Sequence, residues 1–181
     1  MDILHNRKSS SMTNKEFFIQ TWQSEMKKTA GAVKALPRDM SKLSYRCDGK
    51  ARSAAEIIGH MLPHAESICK ATTSFVAAET TGKTYNSIED AATYFETYAT
   101  RLVEKLQATD DTIWNEKVID FRLDGNKLFA YPMRDMFWMM MFDIIHHRGQ
   151  LSTYYRQMGV RNPSIYGPTA EDMEVMMAGK N

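Results

Sequence analysis

The chain has 181 residues, of which 43% are apolar and 25% charged, a balance that predicts one folded domain and excludes a largely disordered protein. Its 23 lysines and arginines nearly cancel its 22 aspartates and glutamates, so a formal charge of +1 offers no general attraction to phosphate backbones and we expect no nucleic-acid partner. We also expect a cytoplasmic protein with no membrane partner, because no apolar run reaches the roughly 20 residues that span a bilayer and the N-terminus lacks the apolar stretch of a secretory signal.

The first predicted element is a helix that begins at a capping box. Residues 1–12 are polar and are predicted to form a flexible N-terminus, ahead of a single domain over residues 13–178. In Thr13-Asn-Lys-Glu16, the threonine hydroxyl can accept from the Glu16 amide while the glutamate reaches back. Apolar side chains at three- and four-residue steps continue this helix to Pro37, which ends it.

A second capping box, Ser53-Ala-Ala-Glu56, begins the second predicted helix. The apolar positions of this helix continue through Phe75 and fade before Gly82. Pro63 lies inside the helix and removes one backbone hydrogen bond, so we expect a kink there.

The third predicted helix begins at the cap Ser87, ends near Asp111 and is followed by a long connection. Residues 117–130 break the helical pattern, because two short apolar runs flank the pair Asp124-Gly125. An Asp-Gly pair in that setting is typical of a tight turn between two strands. The sequence therefore predicts a short hairpin between the third and fourth helices.

The fourth predicted helix is the longest. Pro132 suits its first position and Gly159 its end, and roughly 27 residues at 1.5 Å each give about 40 Å of helix. A short amphipathic helix from Thr169 through Met177 follows it. Four substantial helices, with a long crossover between the third and the fourth, predict an all-α fold organised as a four-helix bundle.

An acid and an imidazole share one face of this fourth helix. Asp143 and His147 are four residues apart, so their side chains can converge, and Gln150 and Tyr154 extend the same stripe. The preceding run, residues 136–142, is strongly apolar, so the pair begins inside a buried helix. A buried carboxylate is costly unless it is compensated. A coordinated metal ion would compensate the charge of Asp143. A metal-free pairing with an arginine (at position 134 or 148) or with a histidine elsewhere in the core would do so too, and both interpretations stay open.

Two histidines of the second helix, His60 and His64, are four residues apart and flank the expected kink. A histidine in a helix is more often a hydrogen-bonded core residue than a metal ligand, so spacing alone assigns neither. His146 lies about 100° around the fourth helix from His147, so at most one of this pair can join Asp143 at a single point.

The end of the fourth helix resembles a known signature. The motif His146-His-Arg-Gly-Gln-Leu-Ser-Thr-Tyr-Tyr-Arg-Gln-Met-Gly159, followed by Pro163-Ser-Ile-Tyr-Gly-Pro-Thr169, is similar to the C-terminal signature of the DinB/YfiT-like family. Upstream, residues 43–46 and 51–60 resemble the segment that leads to the first histidine of that family. The resemblance implies an up-down-down-up four-helix bundle, often a homodimer, that binds a divalent metal through one histidine of the second helix and two of the fourth.

Carried over residue by residue, the metal ligands of the family fall on His60, Asp143 and His147. Aspartate stands where the family has the first histidine of an HxxxH pair, so the implied ligands are two imidazoles and one carboxylate, which suit zinc, nickel, iron or manganese. This set leaves a bound divalent ion with one positive charge instead of two, so a bound water or thiol is acidified less. The side chains expected beside these ligands are His64, His146, Gln150 and Tyr154.

The resemblance leaves two functions open. The family includes metal-dependent thiol S-transferases, and related members are proposed to be metal-dependent hydrolases. One expectation is therefore an enzyme that acts on a small molecule, such as a low-molecular-weight thiol. The other is a non-catalytic, stress-associated binding protein or dimeric assembly protein with a structural or vestigial metal site, which the departure at Asp143 favours. No catalytic residue is assigned.

Overall fold

The computed structural model of the chain describes residues 11–179, so the N-terminus predicted to be flexible lies almost wholly outside the described residues. The helices in this range are α1 (Asn14–Lys34), a 3-10 turn (Met40–Ser44), α2 (Ala54–Met61), α3 (Pro63–Ser74), α4 (Ile88–Gln107), α5 (Asp111–Glu116), α6 (Met133–Ser152) and α7 (Ala170–Ala178). The strands are β1 (Val76–Glu79), β2 (Val118–Leu123) and β3 (Asn126–Pro132). Across residues 11–179, the helices are all too short or too polar to cross a membrane.

The prediction of an all-α fold is wrong, because the chain also forms a mixed sheet. β2 and β3 make the predicted antiparallel hairpin, with Asp124 and Gly125 at φ values of 49° and 83° in its turn. β1 then pairs with β2 in parallel. β1 occupies residues where the second helix was expected to fade. It is four residues long and its partner strand begins only at Val118, so no local periodicity reveals it.

The long helices pack against one another beside this sheet. α6 contacts α1, α2 and α3, while α4 contacts α1 and α3. Between them lies an aromatic core in which Phe18, Trp22, Trp114 and Phe137 are fully buried. The Trp22 indole donates to the carbonyl oxygen of Ala99 at 3.1 Å, so its polar edge is satisfied within the core. Burial of a side chain such as phenylalanine contributes roughly 1.5–3 kcal/mol to the free energy of unfolding.

The second predicted helix is interrupted where the kink was expected, at Pro63, although Leu62, the one residue between α2 and α3, keeps helical backbone angles (φ −71°, ψ −34°). Both capping boxes, at the starts of α1 and α2, form as the sequence predicts. α2 ends at Met61 and α3 begins at Pro63, because proline suits the first turn of a helix but cannot continue one. The break falls between His60 and His64, and α6 contacts the helices on both sides of it.

α6 is shorter than predicted, since it ends at Ser152 and turns continue as far as Gly159. The hydroxyls of Ser152 and Thr153 donate to the carbonyl oxygens of Gly149 and Gln150, at 2.7 and 2.8 Å respectively. Such side-chain bonds compete with the regular pattern of helical backbone bonds. Gly159, predicted to end the helix, lies instead after these turns, with a φ of 78° that glycine adopts without strain.

Replacement of Gly59 by alanine is expected to lower the free energy of unfolding by about 1–3 kcal/mol, the usual range for overpacking. A Cβ at Gly59 in α2 would lie 2.2 Å from the backbone carbonyl oxygen of Lys83, so the chain around Lys83 must shift. Urea denaturation measures the change. The matched control is Gly31→Ala in α1, where a Cβ meets nothing within 4 Å and stability should stay equal or rise. Equal stability of Gly59→Ala and the parent protein would contradict this close approach.

Candidate metal centre

The structure brings together the three side chains that the sequence predicts as metal ligands. His60 comes from α2, while Asp143 and His147 lie one turn apart on α6. One ligand atom from each residue lies within 4.8 Å of the other two. The Nε2 atoms of His60 and His147 are each 3.3 Å from Oδ2 of Asp143, and the two imidazole rings are almost perpendicular. Three potential ligands from two helices therefore point at one place.

Asp143 also has the hydrogen bond that the metal-free interpretation expects. The ring of His64 lies between two carboxylates, with Nε2 2.6 Å from Asp143 Oδ2 and Nδ1 2.5 Å from Glu79 Oε1. Neither arginine that was considered as a partner pairs with Asp143 in the described part of the chain. Arg148 pairs with Glu25 and Arg134 with Asp135.

The surroundings shift the pKa values of two groups in the cluster, His64 and Asp143, in opposite directions. His64 is only 3% exposed; burial alone lowers its pKa, but hydrogen bonds to Asp143 and Glu79 raise that pKa to about 9. Burial raises the pKa of Asp143, yet the surrounding imidazoles of His147, His60 and His64 hold that pKa far below its usual value. Asp143 is therefore ionised at neutral pH, and its carboxylate offers a cation an anionic donor.

The donor atoms fit a divalent ion. Nδ1 of His147 lies 2.8 Å from Oε1 of Gln150, and a proton donated along that bond leaves the Nε2 lone pair facing Asp143 and His60. The amide nitrogen of Gln150 in turn donates to Nε2 of the exposed His146 at 3.0 Å. Two imidazole nitrogens and a carboxylate oxygen suit zinc and its neighbours among the divalent metals, and three protein ligands leave a position for substrate.

The residues predicted beside the ligands take different positions. His64 and Gln150 each bond directly to one of the three, and His146 reaches them only through Gln150. Among the described residues, Tyr154 has no hydrogen bond to the three ligands. Its hydroxyl donates instead to the carbonyl oxygen of Arg52 at 3.0 Å and lies 3.3 Å from the Cys47 sulfur.

Sequence reasoning missed two residues near this centre. Glu79 is on β1, and only the unpredicted strand pairing brings it to His64, so no local signal could identify it. Arg52 precedes the cap of α2, and its Nη1 lies 3.4 Å from Nε2 of His147. The one hint for Arg52 is its position within the segment that resembles the DinB/YfiT-like family.

A cavity of about 850 Å³ opens beside these residues. His60, His64 and Asp143 form part of its wall. Another part is apolar and comes from the sheet and from α6: Phe121, Leu123, Phe129, Met139 and Met140. A volume of this size accommodates a small organic molecule, and apolar walls with a few convergent polar groups are typical of such sites.

The sequence model of the DinB family matches residues 11–180. The chain belongs to the DinB family. Similar solved structures include a DinB-like protein from Bacillus cereus, which is 23% identical with a TM-score of 0.62; the match covers 83% of this chain and 97% of that one. A DinB-like protein from Bacillus subtilis, YjoA, is 21% identical with a TM-score of 0.61, over 84% of this chain and 99% of that one. These likenesses show that the DinB fold extends over most of the chain. No curated protein sequence matches it.

Proposed function

We propose that this DinB-family protein binds a divalent metal ion through His60, Asp143 and His147 and acts on a small molecule in the adjacent cavity. The observation that carries the proposal is the approach of three ligand atoms to within 4.8 Å of one another, with two of the three residues in the cavity wall. The ionised carboxylate of Asp143 supports a cation at this place, and the cavity supports a substrate next to it.

The residues around the three ligands hold them in position. Gln150 accepts from Nδ1 of His147 and thereby sets which nitrogen faces the centre. His64 spans Glu79 and Asp143, so the carboxylate is anchored to β1 and cannot rotate freely. A bound divalent ion would lower the pKa of a thiol or a water molecule close to it.

The carboxylate among the ligands favours thiol transfer over hydrolysis. A free thiol has a pKa of about 8.5, so a shift of roughly two units ionises it at neutral pH. The pKa of water is about 15.7, so ionising water at neutral pH requires a much larger shift. Since Asp143 removes one positive charge from the centre, the smaller shift is the one this site supports better. We therefore favour a metal-dependent thiol S-transferase over a hydrolase.

A specific surface feature favours a second, non-catalytic candidate. Phe17 and Phe142 are 52% and 59% exposed, and both rings pack on Trp138, with centroids 5.6 and 5.5 Å from it. An exposed aromatic cluster of this kind suits contact with a second copy of the chain. In this alternative the protein is a dimeric, stress-associated binding or assembly protein in which the metal is structural. Sizing in solution tests the dimer.

The proposed activity is tested on protein purified without added metal. We expect elemental analysis to find a bound divalent metal, and expect conjugation of a chromogenic aryl halide with at least one thiol of a panel. Turnover should stop on chelation and return when the metal is restored, and His147→Ala should lose both metal and turnover. Metal-loaded protein without turnover of any thiol would favour the non-catalytic candidate, whereas protein that binds no divalent metal would contradict both.

A further inference from the structure

The wall of the cavity holds four basic side chains. They are Arg46, Lys50, Arg52 and Lys83. Within residues 11–179, Arg46 alone of these four pairs with a carboxylate, that of Glu56. The other carboxylates of the wall, Glu79 and Asp143, are both bonded to His64. The cavity therefore attracts anions, although the chain as a whole is nearly neutral.

Another part of the same cavity wall is apolar. The rings of Phe121 and Phe129 stack across neighbouring strands, with centroids 4.7 Å apart and planes at 14°. Leu123 from the sheet and Met139 from α6 extend this surface. A ligand that uses both parts of the wall has an apolar body and a negatively charged group.

Arg52 is the basic residue best placed to bind that charged group next to the metal ligands. Its Nη1 lies 3.4 Å from Nε2 of His147, at the long end of hydrogen-bond distances, so this contact is weak. Its side chain is exposed and its carbonyl oxygen is fixed by Tyr154, so the guanidinium can turn while the backbone stays in place. The planar fork of a guanidinium matches the two oxygens of a carboxylate.

We propose that the cavity binds a small organic carboxylate with an apolar body, and that Arg52 holds its carboxylate beside His147. The inference rests on the proposed function, because it names the chemical class of the small molecule on which the protein acts. It also has a consequence for the metal. The Arg52 N–H and a metal ion compete for the same lone pair on Nε2 of His147, and their positive charges repel.

Calorimetric titration of metal-free protein with 2-naphthoate and with the uncharged 2-naphthamide tests the inference. We expect naphthoate to bind about tenfold more tightly, as charge-assisted bonds to arginine predict. Arg52→Met should remove about tenfold of the naphthoate affinity and leave the naphthamide affinity unchanged. Arg46→Met is the matched control, because Arg46 is already paired with Glu56 and its loss should change naphthoate binding less than about twofold.

A zinc titration of Arg52→Met provides the second readout. The variant should bind Zn²⁺ at least as tightly as the parent protein, because a competing N–H and a nearby positive charge are gone.

Equal affinity for naphthoate and naphthamide, or equal effects of Arg52→Met and Arg46→Met, would overturn the inference. Weaker zinc binding by Arg52→Met would overturn it as well, since Arg52 would then support the metal ligands. Because naphthoate is titrated without metal, carboxylate binding in a protein that never binds zinc counts against the proposed function alone.

Discussion

Replacement of Asp143 by asparagine is expected to weaken Zn²⁺ binding by more than the roughly 10- to 100-fold that loss of an outer partner of a metal ligand costs. Asp143 supplies the one anionic donor among the three residues that converge, and its pKa is held far below the usual value, so it is ionised at neutral pH. A neutral amide of the same shape removes that charge and offers a poorer donor oxygen. Competition with a chromogenic chelator measures the affinity.

The matched control for this variant is Asp135→Asn. Asp135 is on the same helix, is exposed, and pairs with Arg134 at 2.9 Å, away from the three ligands. Its replacement should leave zinc binding unchanged. If Asp143→Asn and Asp135→Asn bind zinc equally well, Asp143 is not a ligand, and its bond to His64 is its main role.

The second large effect is expected at a buried ion pair on the other side of α6. The Arg148 guanidinium is 1% exposed and its Nη2 lies 2.6 Å from Oε2 of Glu25. Nη1 of Arg148 also donates to the Glu25 carbonyl oxygen and to the Thr29 hydroxyl, each at 3.0 Å. Glu25→Gln should lower the free energy of unfolding by about 3–5 kcal/mol, because the arginine stays charged and loses its carboxylate.

Guanidinium denaturation of Glu25→Gln measures this loss. Glu104→Gln is the control, since Glu104 is an exposed glutamate on α4 and its replacement should change stability by less than about 0.5 kcal/mol. A Glu25→Gln protein as stable as the control would show that Thr29 and the carbonyl oxygen suffice for Arg148.

The same pair predicts a pH dependence. Burial raises the pKa of Glu25, but hydrogen bonds with Lys28, Tyr166 and Arg148 lower it from 4.5 to about 2. A carboxyl group whose pKa is lowered in the folded state stabilises the fold at pH values above its pKa in the unfolded state. This stabilisation is lost as the pH falls through its pKa in the folded state. The stability difference between the parent protein and Glu25→Gln should therefore be largest above pH 4.5 and shrink towards pH 2. A difference that stays constant across this window would contradict the assignment.

Local patterns in the sequence determined much of the fold and part of the site. The capping boxes located the starts of α1 and α2, and Asp124-Gly125 located the hairpin. The signature between His146 and Thr169 indicated the DinB family, which the match over residues 11–180 confirms. These signals succeed because each depends on residues a few positions apart, whose geometry the chain fixes by itself.

Contacts between distant parts of the chain decided the rest. β1 forms only because β2, more than forty residues later, offers it a parallel partner, and that pairing places Glu79 against His64. The four-residue spacing of Asp143 and His147 could be seen in the sequence, but the approach of Arg52 to His147 could not. Local sequence determines which residues share a helix face or a turn. Which faces meet depends on how helices and strands pack to bury apolar surface, and only the tertiary structure shows that.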